Sequence, residues 1–237
     1  MAPTVVVTQN SADLNAKLTE YIKSVLETRI NASKENVIVG LSGGSMAATV
    51  CPIFCALDMD WSRVRLFLVD ERMAPLSDAD SNMGAYYKHL PAELSTHFPQ
   101  FGPINNAEAC ASNYEAHLRS WRPALKEGWP QFDLLLLGLG PDGHTCSLFP
   151  DHPLLKENKK WIAPIVDSPK PPKCRITITI PVVNHAFNVA FIATGENKAS
   201  VVKSIVKDGS SEYPAGLVKP VSGNLHWFLD AGSASQL

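Results

Sequence analysis

Four consecutive leucines, Leu134–Leu137, run directly into a segment holding three glycines, Gly138, Gly140 and Gly143. An unbroken apolar run of that length, bounded by turn residues, fits a strand buried on both faces of a parallel sheet. Parallel neighbours need crossovers, so the run asks for helices on either side. The rest of the chain answers that demand. Strands read at Thr4–Thr8, Val37–Val39, Arg65–Val69, Asn188–Thr194 and Leu225–Leu229. Helical spacing connects them: Leu14, Leu18, Ile22, Val25 and Leu26 from Ser11 to about Ile30, then from Met46, Asn106 to about Trp121, and Lys198 to about Val206. Pro52 predicts a kink or a later start in the second helix. The expected fold class is α/β: a doubly wound, mostly parallel sheet with helices on both faces, and a smaller β-rich portion around the central and C-terminal strands. The whole chain, 1–237, is expected to form one domain. The segment Lys156–Lys173 is rich in lysine and proline and reads as a connection or small lobe. Arg175–Ile180 alternates as RITITI, a strand with one polar face.

Inside the glycine frame after the leucines sit Asp142 and His144, a carboxylate and an imidazole at the C-terminal end of a strand. Open α/β sheets place ligands there. Thr145 and Ser147 are placed to open a following helix, whose amides would favour an anion. Three readings compete: a plain strand-to-helix turn, a dinucleotide fingerprint, and a catalytic loop presenting His144 as general base. The fingerprint fits poorly, because Pro141 removes an amide and no acid follows about twenty residues beyond Gly143. The catalytic loop is preferred.

A second small-residue loop, Gly40-Leu41-Ser42-Gly43-Gly44-Ser45, also joins a strand to a helix. Its amides and hydroxyls suit a phosphate cradle. The same letters spell the G-x-S-x-G elbow of serine hydrolases, although His226 precedes Asp230 where the elbow's partners need the reverse order. Cradle, elbow and plain turn all remain open on the letters alone. Asp70-Glu71-Arg72 follows a strand directly and should send at least one charge into the strand-end crevice. Arg175 and Lys198 begin a strand and a helix; a guanidinium and an ammonium converging on oxygens would suit a phosphate.

The formal net charge is −2 with no Lys/Arg block, which argues against nucleic acid and anionic membrane as partners. No apolar run is long enough to span a bilayer. The start MAPTVVVT argues against secretion. The five cysteines form no C-x-x-C pair and read as reduced thiols in a cytoplasmic protein. Ser235-Gln236-Leu237 is a poor relative of the peroxisomal address. No metal-ligand spacing is present, so no metal and no cofactor are expected. No motif specifies an oligomeric state, and a monomer is compatible with the composition.

In order, GLSGGS (40–45), VDER (69–72), SN (81–82), GLGPDGHTCSLFP (138–150), RITITIP (175–181) and GENKA (195–199) resemble the pattern of the 6-phosphogluconolactonases. The related glucosamine-6-phosphate deaminases share the first glycine loop and D-G-H, but carry a glutamate after the histidine. Here no acid occurs before Asp151. Cys146 stands in place of a small alanine, and Met46-Ala47 in place of threonine-proline. The resemblance implies hydrolysis of 6-phospho-D-glucono-1,5-lactone to 6-phospho-D-gluconate, the second step of the oxidative pentose phosphate pathway. It assigns His144 as base, Asp142 to orient the imidazole or hold a sugar hydroxyl, and Arg72 to substrate oxygens or the oxyanion. The phosphate falls to Ser42, Gly43, Gly44, Ser45, Arg175 and Lys198, with Asp70 beside the substrate. The alternatives are a deaminase-like sugar-phosphate enzyme or a non-catalytic sugar-phosphate-binding protein.

Overall fold

The computed structural model describes residues 2–33, 35–95, 98 and 106–237. Eleven strands are present among them. They are β1 (Thr4–Thr8), β2 (Val37–Leu41), β3 (Val64–Leu68), β4 (Asp70–Arg72), β5 (Leu125–Lys126), β6 (Trp129–Pro130), β7 (Leu134–Gly138), β8 (Ile162–Ile165), β9 (Arg175–Ile178), β10 (Asn188–Ala193) and β11 (Asn224–Asp230). The helices are α1 (Ser11–Ala32), α2 (Met46–Ala56), α3 (Asn82–His89), α4 (Ala92–Ser95), α5 (Ala107–Ser120), α6 (Ile180–Asn184) and α7 (Ala199–Val202).

Six strands form one parallel sheet in the order β1-β11-β10-β7-β2-β3. The leucine run is β7, near the centre, and Leu134–Leu137 are fully buried. Side-chain alternation divides the core between the two faces. Val37, Val39, Leu41, Leu134 and Leu136 pack with the apolar stripes of α1, α2 and α3. Ile38, Leu135, Leu137, Phe191 and Trp227 pack on the other face with α5, α6 and α7. A three-stranded antiparallel sheet, β4-β9-β8, adds to that second layer and is the smaller β-rich portion. Among the described residues no helix is long and apolar enough to cross a membrane.

Three local expectations are corrected. No helix follows Thr145: residues 144–150 form turns around a bridge between Thr145 and Leu148, and Cys146 takes φ 52°. A left-handed residue one step after Thr145 stops any helix there. The second helix does not restart at Pro52; α2 begins at Met46 and continues through it. Finally, β9 ends at Ile178, short of the RITITI run, and its polar residues Arg175 and Thr177 are buried. The hydroxyl of Thr177 accepts from the Ser147 amide, so the polar face looks at the His144 loop instead of water.

Topology alone then locates a crevice. From β2 the chain moves outward to β3, whereas from β7 it moves the opposite way to β10. Loops leaving the adjacent ends of β2 and β7 therefore diverge, and a ligand site opens between them.

Candidate active site

The crevice has a volume of about 210 Å3, and most of its polar wall comes from strand ends, with Leu14 of α1 and Met46 and Thr49 of α2 completing it. Ser42, Gly43, Gly44 and Ser45 leave β2; Asp70 and Arg72 belong to β4; Gly138, Gly140, His144 and Cys146 follow β7; Thr194 and Lys198 follow β10.

At its centre the Nδ1 atom of His144 lies 2.5 Å from Oδ1 of Asp142. Asp142 Oδ2 lies 2.9 Å from Lys170 Nζ. Burial pushes the Asp142 carboxyl upward, but hydrogen bonds from His144 and Lys170 outweigh it and hold the pKa at about 2. Asp142 is then a carboxylate, so Nδ1 of His144 carries the proton and donates it. That tautomer leaves the lone pair on Nε2, where a base needs it. Burial, the largest influence, lowers the His144 pKa below its usual 6.5, partly opposed by Asp142. Burial thus favours the neutral imidazole. Phe149 packs at 4.9 Å between ring centroids and supplies the apolar wall.

Gly140 exists for this pair. A Cβ there would overlap His144 Nδ1 and Asp142 Oδ1. Both are side-chain atoms able to swing aside, so Gly140→Ala should fold yet displace the dyad. We expect kcat to fall by up to roughly 10²-fold, the cost of about 1 Å misplacement, with the circular dichroism spectrum unchanged. Full activity would show that the dyad has slack.

The other pole of the crevice suits an anion. Ser42–Ser45 approach the N-terminus of α2, and Ser45 makes no side-chain cap bond there. Gly43 is required by close approach: its Cβ would run into the Asn82 amide, which bonds the Asp70 carbonyl at 2.9 Å and accepts from Gly44 N at 3.4 Å. Asn82 is thus a strut between β4 and the glycine loop, as well as the first residue of α3. Lys198 lines the same crevice. Burial lowers its pKa, while the charge of Asp230 opposes the shift. Asp230 accepts from the Gly195 amide through both oxygens, fixing the turn that carries Lys198.

Ser42 Oγ accepts from the Gly138 amide at 3.1 Å, and its carbonyl accepts from the Tyr86 hydroxyl. No histidine partners that hydroxyl among the described residues, so the elbow reading loses its base. A fluorophosphonate probe should leave the protein unlabelled. Labelling at Ser42 that abolishes activity would restore that reading.

The charges of β4 part company. Glu71 is buried and accepts from the amides of Arg72, Asn82 and Met83, capping α3. Asp70 accepts from the Ser147 hydroxyl at 2.7 Å. Arg72 donates to the Asp80 carbonyl and otherwise faces the crevice. Arg175 stands apart from the lining. Its buried guanidinium donates to the carbonyls of Lys170, Pro171 and Pro172 and to Ser147 Oγ. Lys170 is the site residue that sequence reasoning missed. Among the described residues no group of three or more His, Cys, Asp and Glu side chains is placed to hold a metal ion.

Residues 9–227 match the family model described as glucosamine-6-phosphate isomerases/6-phosphogluconolactonase. The 6-phosphogluconolactonase of Rattus norvegicus is 41% identical over 231 residues, spanning 95% of this chain and 90% of the relative. That of Homo sapiens is 42% identical over 241 residues, spanning 98% and 92%. Among solved structures, the 6-phosphogluconolactonase of Trypanosoma brucei superposes with a TM-score of 0.82 at 28% identity, covering 99% of this chain and 98% of the other. A monomeric glucosamine-6-phosphate deaminase shares the fold at TM-score 0.75 and 16% identity, covering 99% and 100%.

Proposed function

Since the chain belongs to the glucosamine-6-phosphate isomerase/6-phosphogluconolactonase family, we propose that it hydrolyses 6-phospho-D-glucono-1,5-lactone to 6-phospho-D-gluconate. The observation that carries this reading is His144, bonded through Nδ1 to the Asp142 carboxylate, in the same crevice as an anion-suited loop and Lys198.

A δ-lactone is an activated ester, so a positioned water needs a base and no covalent nucleophile. Nε2 of His144 takes a proton from that water as its oxygen attacks the lactone carbonyl carbon. The carbonyl oxygen becomes an oxyanion, and the Arg72 guanidinium is the nearby cation suited to it. Collapse breaks the bond to the ring oxygen, which leaves with the proton held on His144. Asp142 keeps the ring oriented and stabilises the imidazolium between the two transfers. At the far pole Ser42–Ser45 and Lys198 bind the 6-phosphate. Arg175, assigned to the phosphate by resemblance, serves in this reading as the frame of the loop carrying Lys170.

The acid limb follows from the sign of the His144 shift. Activity is full while the imidazole is neutral and falls as pH drops through its pKa. That midpoint lies below 6.5 because burial disfavours the cation. The proposed setting is the oxidative pentose phosphate pathway in the cytoplasm, a reducing compartment that suits five free thiols.

The test compares two substrates. Freshly generated phosphorylated lactone, corrected for spontaneous hydrolysis, should turn over; glucosamine 6-phosphate should release no ammonia. The reverse result would make the chain a deaminase. Binding of both without turnover would make it a sugar-phosphate-binding protein.

A further inference from the structure

We infer that Lys170 is a positioning residue of the reaction, its ammonium clamping Asp142 so that the carboxylate holds the His144 ring in its base tautomer. The inference deepens the base reading above and rests on it.

Isolated Lys–carboxylate pairs on a surface contribute little, because a flexible side chain must be ordered for a screened contact. Lys170 differs in three respects. First, its partner is the carboxylate that orients the base. Oδ1 of Asp142 takes His144 Nδ1 at 2.5 Å and Oδ2 takes Lys170 Nζ at 2.9 Å. One bond at each oxygen fixes the carboxylate plane, which a single bond leaves free to rotate. Second, the loop carrying Lys170 is pinned. The buried Arg175 guanidinium holds the Lys170, Pro171 and Pro172 carbonyls, Ser168 Oγ donates to the Lys170 carbonyl, and Ser168 N to the Lys173 carbonyl. Third, Nζ lies 3.3 Å from His144 Nδ1. Both nitrogens carry protons in the base tautomer, so this contact is no hydrogen bond. It is a cation held against the ring that must become a cation.

That proximity has a chemical use. The other charges facing His144 are Asp142 from its own loop and Asp70 from β4, which favour the imidazolium. Arg72 and Lys198 line the same crevice. Burial already disfavours the imidazolium, and a cation beside the ring acts in the same direction against the two carboxylates. Lys170 offsets them, keeping the base free of a proton before attack and making the imidazolium a readier donor to the departing ring oxygen.

The test is the pH dependence of kcat/KM for Lys170→Gln and Lys170→Arg on the phosphorylated lactone. His144 titration is followed in parallel by NMR, which also reads a variant too slow to assay. For Lys170→Gln the acid limb and the His144 titration should both move to higher pH. In kinetic terms, kcat/KM at about pH 6 should drop ~3- to 10-fold relative to its value at about pH 8, since each pKa unit is a factor of ten. KM should stay near wild type, and Lys170→Arg should return both midpoints toward it. An unmoved limb with an unmoved titration in Lys170→Gln, or Lys170→Arg behaving as Lys170→Gln, overturns the inference. A fully active His144→Asn enzyme would instead overturn the base reading, whatever Lys170 does.

Discussion

Replacing His144 with asparagine should lower kcat and kcat/KM together by ~10²–10⁴-fold, the usual contribution of a general base, while KM changes little. Asparagine keeps a donor near Asp142 but has no group able to accept the water proton at neutral pH. A base acts in the transition state, so its loss appears in both constants equally. The defect should be the same on phosphorylated and unphosphorylated gluconolactone, because the proton is taken from water at the ring and not at the phosphate. Near-normal kcat in His144→Asn would remove the imidazole from the chemistry.

Lys198→Ala should produce the complementary pattern. A hydrogen bond to a charged group contributes about 1.5–3 kcal/mol, which is roughly 10- to 150-fold in kcat/KM. Most of that loss should fall on KM for the phosphorylated lactone, with a smaller fall in kcat because remote binding energy also positions the ring. Unphosphorylated gluconolactone should be hydrolysed almost as well as by wild type. Arg175→Ala should behave otherwise and impair both lactones, because its guanidinium holds the Lys170–Pro172 backbone. Equal losses on both lactones in Lys198→Ala would move the phosphate elsewhere.

Much of this arrangement is legible in the letters because its causes are local. Four leucines in a row admit few environments, and they become the buried strand β7. Leu14, Leu18, Ile22 and Leu26 recur at helical spacing, and all four are buried on α1. A glycine loop after a strand narrows the site to the strand ends, where Ser42–Ser45, Asp70, Arg72, His144 and Lys198 line one crevice. The failures are non-local. Thr145 and Ser147 resemble a helix start, but the backbone turns left-handed at Cys146. Arg175 reads as a cation at a strand start, yet its guanidinium reaches Ser147 Oγ, 28 residues away, as well as the carbonyls of Lys170, Pro171 and Pro172. Lys170 sits in a lysine- and proline-rich stretch with the composition of a solvated connection. Nothing within ten residues announces that its ammonium reaches Asp142. That contact exists because Arg175 holds the turn over the loop after β7.

The proposed reaction rests on the neutral imidazole of His144 acting as the base. In the free enzyme, the acid limb of kcat/KM reports the pKa of the essential base. The direct measurement is therefore the His144 titration by NMR in the unliganded protein, set beside the kinetic acid limb for the phosphorylated lactone. The two midpoints should coincide, and both should lie below 6.5, as burial of the ring requires. A His144 that titrates well away from the kinetic limb would remove the imidazole from the role of base.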